Sequence, residues 1–442
     1  MRVAPARRCA FVVLRRVFEQ GAWADRALRG EARRLALDGR DLGLATQLAF
    51  GAVQRRATLD HLIAGMAGRP VEELEPAVLA ALRLGAFQLA FLDRVPAHAA
   101  VGESVQLAGE SSRGGAGLVN AVLRRAAREA RARVAALGEA TPAEAALRHS
   151  YPEWIAELWF AALGPPVARA LMEAGNRPAE AALRANTLRA SSGDLLGRLP
   201  VPAHPAPGLP EGLVLDAPFD AHGSPLWRDG LFMPQSRAAM TVARLLAPMA
   251  GERVLDLCAA PGAKTTHLAA LMEDRGEIVA VERHRGRAQA LERTARRMGA
   301  GCVRVQVADA AAWVEPGAYD RVLVDPPCSD LGTLASRPDA RWRKAPEQVE
   351  RLARGQAAIL EAGAAALRPG GTLVYSTCTI SPRENEEVVA AFLAGHPGFA
   401  AEDLREQAAV WQHPSVPHCL LTLPHRDGTE GFFVARLRKA AG

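Results

Sequence analysis

The sequence predicts a multidomain protein: an all-α domain over residues 1–140, a small α/β connector over 141–235 and a doubly wound α/β domain over 236–442. Helical periodicity without strand signals marks the first segment, and short apolar strands alternating with helices mark the third. A chain of 442 residues is also too long for one ordinary hydrophobic core. We therefore expect three domains with these boundaries.

The first domain is predicted to be a compact bundle of six or seven helices, because apolar residues recur every three or four positions. It contains 21 arginines and no lysine against 14 acidic residues, whereas the rest of the chain is close to neutral. Positive charge gathered in one segment favours a polyanion such as nucleic acid as a partner. A solvated helical surface explains the same charge, so composition leaves both interpretations open.

The connector has a mixed pattern. An amphipathic helix is predicted at 150–163 and a strand within 180–189. Five prolines in 199–212 predict a loop. These signals indicate a small α/β module between the two larger domains.

The C-terminal domain begins the strand and helix alternation. Apolar strands are predicted at 252–258, 277–282, 303–309, 321–325 and 371–378, with a closing antiparallel pair at 418–424 and 431–439. Helical segments lie between most of them. This order is typical of a parallel sheet with right-handed crossovers.

Several classes of protein are disfavoured. Arg15 and Arg16 interrupt the apolar N-terminus, and no apolar run is long enough to span a membrane. The six cysteines include no CxxC pair, which argues against both a disulfide scaffold and a structural zinc site. We expect a cytoplasmic protein with reduced thiols, no metal and no membrane partner.

The first strand of this domain ends in a turn that is typical of cofactor binding. The segment 258–264 places Pro261 and Gly262 between strand and helix, where free backbone N–H groups meet a ligand. Neither GxGxxG nor the Walker pattern is present, and a plain strand–turn–helix remains an alternative. Lys264 is one of only three lysines in the chain, which hints that arginine does not serve there.

Acidic residues end three of the predicted strands. Glu282 lies 24 positions after Cys258, a spacing at which a carboxylate reaches ribose hydroxyls in a nucleotide site. Asp309 and Asp325 end the next two strands. Each of them alone has a helix N-cap as its alternative role.

Two cysteines also lie at strand ends. Cys328 and Cys378 are 50 positions apart, and the carboxyl ends of parallel strands share one edge of a sheet. A thiol with a lowered pKa is a strong nucleophile. The alternative for any free cysteine is an inert buried thiol, which we expect for the other four: Cys9, Cys258, Cys302 and Cys419.

Three segments resemble the motifs of RNA cytosine-5 methyltransferases that use S-adenosylmethionine. They are DLCAAPGAKTTH (256–267), VDPPCSDLGTLASRPDARWR (324–343) and YSTCTISPRENEEVV (375–389). The helical N-terminus, with AFGAVQRRATLDHLI (49–63), resembles the NusB-like domain of the bacterial 16S ribosomal RNA methyltransferase B family, also called Fmu or Sun. The resemblance covers nearly the whole chain and implies a Rossmann-like catalytic domain.

The resemblance also implies roles for individual residues. Cys378 is implied as the nucleophile that attacks C6 of cytosine, and Cys328 as the thiol that assists product release. The chemistry itself makes Asp325 and Lys264 further catalytic candidates, Asp325 to hydrogen-bond the N3 and N4 edge of the base and Lys264 either to orient Asp325 or to stabilise a thiolate by its charge. The residues implied to bind S-adenosylmethionine are Cys258, Ala259, Ala260, Pro261, Gly262, Ala263, Lys264, Glu282, Asp309 and Asp325.

Two positions depart from the family pattern. Ala263 stands where the family usually has a second glycine, which is tolerated if that position needs no positive φ. Glu282 stands where aspartate is common, and its longer side chain still reaches a ribose. We expect both changes to preserve cofactor binding.

The expected substrate is small-subunit ribosomal RNA, with the target cytidine unpaired or flipped out. Basic residues in 334–344 are expected to contact RNA phosphates, with Trp342 available to stack or pack. The alternatives are transfer RNA as the substrate, a non-catalytic RNA-binding or antitermination-like factor, and DNA cytosine methylation with its nucleophile in the Pro-Cys block. A monomer is expected.

Overall fold

In this computed structural model, residues 3–405 and 411–441 are described. The chain forms two compact units, one of Met1–Pro178 with Leu334–Lys344 and one of Ala179–Thr333 with Ala345–Gly442. This division into two units does not test the domain boundaries at residues 140 and 235, which stay a prediction. No helix in the described ranges is long and apolar enough to cross a membrane.

The first unit is helical. Its helices are α1 (Pro5–Gln20), α2 (Ala24–Arg34), α3 (Gly39–Gln54), α4 (Arg56–Ala67), α5 (Pro76–Phe91), α6 (Ala97–Ser111), α7 (Gly115–Ala135), α8 (Pro142–His149), α9 (Glu153–Leu163) and α10 (Pro165–Ala174). Seven α-helices thus lie before residue 140 in the described part of the chain, within the six or seven that the periodicity predicts. Small residues allow them to pack closely: a Cβ at Gly51 of α3 would lie 2.0 Å from Cζ of Phe87 in α5.

The segment 334–344 belongs to this helical unit and corrects one expectation. Arg341 is 0% exposed and donates hydrogen bonds to the carbonyl of Gly175 at 2.9 Å and to Oδ1 of Asn176 at 2.9 Å. Trp342 donates through Nε1 to the carbonyl of Val53 at 2.8 Å. A phosphate-binding role is therefore wrong for Arg341, because its guanidinium is buried and its N–H groups already donate to protein oxygens.

A small antiparallel sheet follows at the start of the second unit. Its strands are β1 (Ala182–Ala185), β2 (Ala203–Pro205), β3 (Gly212–Leu215) and β4 (Phe232–Pro234), in the order β2-β3-β1-β4, with short helices α11 (Ser192–Leu196) and α12 (Pro225–Arg228). The predicted strand within 180–189 is confirmed by β1. The proline-rich loop is not wholly irregular, because β2 lies inside it. Pro205 is tolerated there since β2 is an edge strand.

The larger sheet of the second unit is mixed. Its strands are β5 (Arg253–Leu257), β6 (Glu277–Val281), β7 (Val303–Gln306), β8 (Tyr319–Val324), β9 (Leu367–Thr377), β10 (Phe399–Ala401), β11 (Cys419–Leu421) and β12 (Phe433–Lys439). Its helices are α13 (Arg237–Leu246), α14 (Ala263–Leu271), α15 (Arg285–Met298), α16 (Pro346–Ala366), α17 (Glu386–Gly395) and α18 (Pro424–Asp427). The five predicted parallel strands and the closing antiparallel pair β11–β12 are all present.

The strand order fixes where a ligand site can form. The sheet runs β10-β12-β9-β8-β5-β6-β7, so the first parallel strand, β5, lies at its centre between β6 and β8. Strand order reverses at β5, and ligands bind outside the carboxyl ends of the strands at such a point. The segments that follow β5, β6, β8 and β9 contain all but one of the candidate site residues, and Asp309 follows β7.

Candidate active site at the carboxyl edge of the sheet

The two strand-end thiols meet. Cys328 follows β8 and Cys378 follows β9, and their Sγ atoms are 3.3 Å apart. Cys328 is 7% exposed and Cys378 is half-buried. The thiol of Cys378 also donates to Oδ1 of Asp330 at 3.3 Å. The parallel pairing of β8 with β9 thus brings together two cysteines that are 50 positions apart.

Lys264 and Asp325 form an ion pair in the same domain. Nζ of Lys264 lies 2.7 Å from Oδ2 of Asp325, and the hydroxyl of Ser376 donates to Oδ1 at 2.8 Å. Burial acts to lower the pKa of Lys264, but the charge and hydrogen bond of Asp325 outweigh it, and the pKa is raised. Lys264 is therefore a cation at neutral pH, and both oxygens of Asp325 are held in place.

The turn after β5 has the backbone shape that a ligand-binding loop needs. Cys258 has φ +68° and Gly262 has φ +101°. A Cβ at Gly262 would lie 2.6 Å from Cδ1 of Leu291, so glycine is required there on both counts. Ala263 is the first residue of α14 and has no positive φ, so the backbone conformation at this position does not require glycine.

A buried arginine supports this turn. Arg184 of β1 is 0% exposed and donates to the carbonyl of Ala263 at 2.6 Å and to the hydroxyl of Thr266 at 2.9 Å. Burial lowers its pKa to about 9, so it remains charged at neutral pH. Sequence reasoning missed Arg184, because it lies in a predicted connector strand far from the turn in sequence.

Glu282 and Asp309 differ in environment. Glu282 is buried directly after β6, accepts from the backbone N–H of His284 at 2.8 Å, and lies 3.4 Å from Nε of Arg287. Arg287 also donates to the carbonyl of Ala260 at 2.7 Å, which links Glu282 to the turn. Asp309 is exposed and caps a short helical turn through the N–H of Ala311 at 3.1 Å. The N-cap alternative therefore applies to Asp309, and its other carboxylate oxygen accepts no hydrogen bond from the residues that the structure describes.

A fully buried glutamate joins the two cysteine blocks. Oε1 of Glu384 accepts from the N–H of Ser329 at 2.8 Å and from Nε2 of Gln356 at 3.0 Å, and Gln356 also donates to the carbonyl of Pro327. Burial raises the pKa of Glu384. Glu384 thereby fixes the loop that carries Cys328. It lies inside a quoted motif, but nothing in its spacing indicates this role.

Asp256 of β5 is a second buried carboxyl that the sequence did not single out. It is 1% exposed, and Oδ2 accepts from the hydroxyl of Thr265 at 2.6 Å. Its other oxygen is buried and has no hydrogen-bond partner among the described residues. Burial, reinforced by the charge of Asp325, raises the pKa of Asp256 to about 7.

The remaining four thiols have a common character. Burial raises the pKa to about 12 for Cys9, Cys258, Cys302 and Cys419. A thiol with so high a pKa is protonated at neutral pH and is a poor nucleophile. The structure therefore agrees with their assignment as chemically inert.

Comparisons with known proteins match all three parts of the chain. The family described as 16S rRNA methyltransferase RsmB/F matches residues 243–438, the NusB family matches 4–128, and an RsmF/B-like ferredoxin-like domain matches 151–222. These matches confirm the NusB-like helical domain, the α/β connector and the C-terminal methyltransferase domain.

Relatives and solved structures agree with these matches. The probable ribosomal RNA small subunit methyltransferase B of Synechocystis is 36% identical over 98% of this chain and 99% of its own. The ribosomal RNA small subunit methyltransferase B of Thermus thermophilus is 37% identical over 99% of both chains. The crystal structure of PH0851 has a TM-score of 0.84 at 26% identity, covering 99% of this chain and 100% of its own. The structure of NSun6 from Pyrococcus horikoshii with SFG has a TM-score of 0.60 at 26% identity, covering 66% of this chain and 100% of its own. The chain therefore belongs to the 16S rRNA methyltransferase RsmB/F family and is an RNA methyltransferase by that membership.

Proposed function

We propose that this protein transfers a methyl group to C5 of a cytidine in small-subunit ribosomal RNA, through a covalent bond between Cys378 and C6 of the base. The observation that carries the proposal is the pair of thiols of Cys328 and Cys378, with Sγ atoms 3.3 Å apart. One thiol adds to the base, and a second beside it serves the later proton transfer. The Lys264–Asp325 ion pair of the same sheet edge supplies further polar groups for the base.

The chemistry explains why a nucleophilic thiol is needed. C5 of cytosine is too weak a nucleophile to take a methyl group directly. Addition of the Cys378 thiolate to C6 breaks the aromatic conjugation and builds electron density at C5. C5 then accepts the methyl group and loses its proton, and the electron pair of that C–H bond expels the Cys378 sulfur. The C–S bond that forms first is the bond that breaks last.

Neighbouring residues fit the remaining roles. Cys328, in contact with Cys378, is proposed to take the C5 proton and so release the product. Asp325 is held by Lys264 and Ser376, and a carboxylate fixed at both oxygens suits the acceptance of hydrogen bonds from the N4 amino group of cytosine and from N3 once N3 is protonated.

The residues around the turn fit S-adenosylmethionine, which supplies a methyl group carried on a sulfonium. Gly262 permits close backbone approach, because no side chain fits at that position. Glu282 is proposed to accept hydrogen bonds from ribose hydroxyls, and Asp309 to accept one from the adenine amino group. A carboxylate has about four acceptor sites, and Glu282 uses two of them in the contacts described above.

The substrate is proposed from the relatives, which are named as small-subunit ribosomal RNA methyltransferases. The excess of arginine in residues 1–140 supports an RNA partner for the helical domain. Bisulfite sequencing of total RNA from cells lacking this gene tests the assignment. A single 5-methylcytosine should disappear from small-subunit ribosomal RNA and return on complementation. Loss of the mark from transfer RNA instead would support the alternative substrate.

The covalent route has its own test. Cys328→Ala should accumulate a protein–RNA adduct that survives denaturing electrophoresis, because the adduct forms but its release is slowed. The double variant Cys328→Ala/Cys378→Ala should form none, and Cys302→Ala should behave like the native protein. Absence of the adduct in the first variant would contradict the release role of Cys328. An adduct in the double variant would contradict Cys378 as the nucleophile.

A further inference from the structure

Three potential metal ligands converge at the thiol pair. The Sγ atoms of Cys328 and Cys378 are 3.3 Å apart, and Oδ1 of Asp330 lies 3.3 Å from the sulfur of Cys378 and 3.9 Å from that of Cys328. Among the described residues these three atoms form a compact triangle of the kind that can hold a metal ion. Residues 328, 330 and 378 have no metal-binding spacing in sequence, so only the fold reveals the cluster.

The size and chemistry of the triangle fit a thiophilic divalent cation. Tetrahedral zinc with Zn–S near 2.3 Å and Zn–O near 2.1 Å separates its ligand atoms by about 3.6–3.8 Å. The two S···O separations, 3.3 and 3.9 Å, lie about 0.3 Å on either side of the tetrahedral value, and the S···S separation of 3.3 Å is about 0.5 Å shorter than its own. Two sulfurs and one carboxylate oxygen favour zinc over magnesium or calcium, which prefer oxygen ligands only.

The backbone holds Asp330 in the position that completes the triangle. Asp330 has φ +59°, in the left-handed region that favours glycine. The preceding residue, Ser329, is fixed by Glu384 through its N–H and by Thr379 through its hydroxyl at 2.7 Å. Aspartate is among the few residues other than glycine that adopt this conformation readily, so the backbone can hold the carboxylate beside the two thiols. Methylation as proposed above assigns no role to Asp330.

We propose that Cys328, Asp330 and Cys378 form an inhibitory binding site for Zn²⁺ or a chemically similar thiophilic cation. The two thiols release their protons on binding, and the three side chains leave a fourth position for water. Cys378 is then a metal ligand and is not available to add to a base. Inhibition of methylation rests on the proposed function of Cys378, whereas metal binding does not.

Binding is tested on the full-length protein without RNA or S-adenosylmethionine, in the presence of a phosphine reductant. Titration with Co²⁺ should give thiolate-to-cobalt absorption that saturates at one ion per protein, and Zn²⁺ should displace it. Asp330→Gly should weaken the binding of both ions by about tenfold or more, because loss even of a residue that only supports a metal ligand costs about 10- to 100-fold in affinity. Glycine suits the positive φ at this position, so the variant removes the carboxylate without backbone strain. Asp330→Asn should weaken binding similarly.

Cys302→Ser is the matched control, because Cys302 is another half-buried thiol in the same unit, next to an aspartate. It should bind Co²⁺ as the native protein does and keep its methylation activity. Native-like Co²⁺ absorption in both Asp330 variants would overturn the three-ligand site, and so would absence of the absorption band in the native protein.

Zn²⁺ should also inhibit methylation, with recovery of activity on chelation. If the native protein binds Co²⁺ while Cys378→Ala keeps full methylation activity, the proposed function is removed and the metal site stands.

Discussion

The thiol pair and the segment 334–344 were both expected to serve RNA chemistry, and they differ in how their polar groups are used. The Cys328 and Cys378 thiols contact each other and Asp330 at distances of 3.3–3.9 Å, and Cys378 remains half-buried. Arg341, by contrast, is fully buried and donates to several backbone carbonyls. One region keeps weak, exchangeable contacts, and the other has strong contacts that hold the fold together.

This difference shows what distinguishes a reactive group from a structural one. Thiols are weak hydrogen-bond donors, so their contacts are easily replaced by a substrate. A guanidinium with its donors on buried carbonyls cannot leave without exposing unsatisfied polar groups. Residue type and charge alone predict both regions as functional, whereas hydrogen-bonding partners separate them.

The largest effect is expected at Cys378, the proposed nucleophile. Cys378→Ala should lower methylation by ~10³-fold or more, because no other group replaces covalent addition to C6. Cys302→Ala is the control and should retain native turnover, since burial raises the pKa of Cys302 to about 12. Transfer of labelled methyl groups to RNA measures both. Substantial turnover by Cys378→Ala would break the contrast between the two regions.

Arg341→Ala should act on stability instead. Removing the guanidinium leaves buried carbonyls of Ser150 and Gly175 without this donor and should lower the free energy of unfolding of the helical unit by about 3 kcal/mol. Arg337→Ala changes an exposed arginine of the same segment and should cost much less. Chemical denaturation compares the two. Weaker RNA binding with unchanged stability in Arg341→Ala would restore a phosphate-binding role.

The ion pair at the thiol edge should show an intermediate effect. Lys264→Met should reduce turnover by ~10²-fold, because Asp325 loses its cationic partner. Lys439→Met is the matched control, since Lys439 donates only to the carbonyls of Ala364 and Leu367 in its described contacts. Single-turnover kinetics should report the difference. Equal loss in the two variants would indicate a general structural effect.

The smallest effect is a pH dependence of stability at Asp256. Its folded pKa is raised to about 7, above the unfolded value of about 3.9. The folded state therefore holds the proton more tightly, and stability is lost as pH rises between these values, at up to about 1.4 kcal/mol per pH unit. Asp256→Asn should lose this dependence and gain stability relative to the native protein between about pH 5 and about pH 7.

The exposed Asp229 provides the control for this measurement. Asp229→Asn should follow the native pH profile of unfolding, because this change at the surface leaves Asp256 and its surroundings as they are. A profile of Asp256→Asn that parallels the native one would show that Asp256 is ionised throughout the range. The unpartnered oxygen of Asp256 would then need another explanation.

Much of the fold could be predicted because its signals are local. The helical periodicity before residue 140 corresponds to α1–α7, and the five apolar runs after residue 252 correspond to the parallel strands. Strand β2 was missed because its prolines are typical of loops, and an edge strand tolerates them. The site residues Glu384, Arg184 and Asp330 were missed since their roles depend on partners far away in sequence.

By itself, the sequence determined the order of helices and strands and the placement of two cysteines at strand ends, because periodicity and turn residues act over short distances. The sequence predicts that Cys328 and Cys378 share one edge of the sheet, and the tertiary structure decided how closely their sulfurs approach, through the pairing of β8 with β9. The tertiary structure also decided that Arg341 is structural and that Asp330 joins the thiol pair. Hydrogen bonds and burial between residues distant in the chain set these outcomes, and no local pattern encodes them.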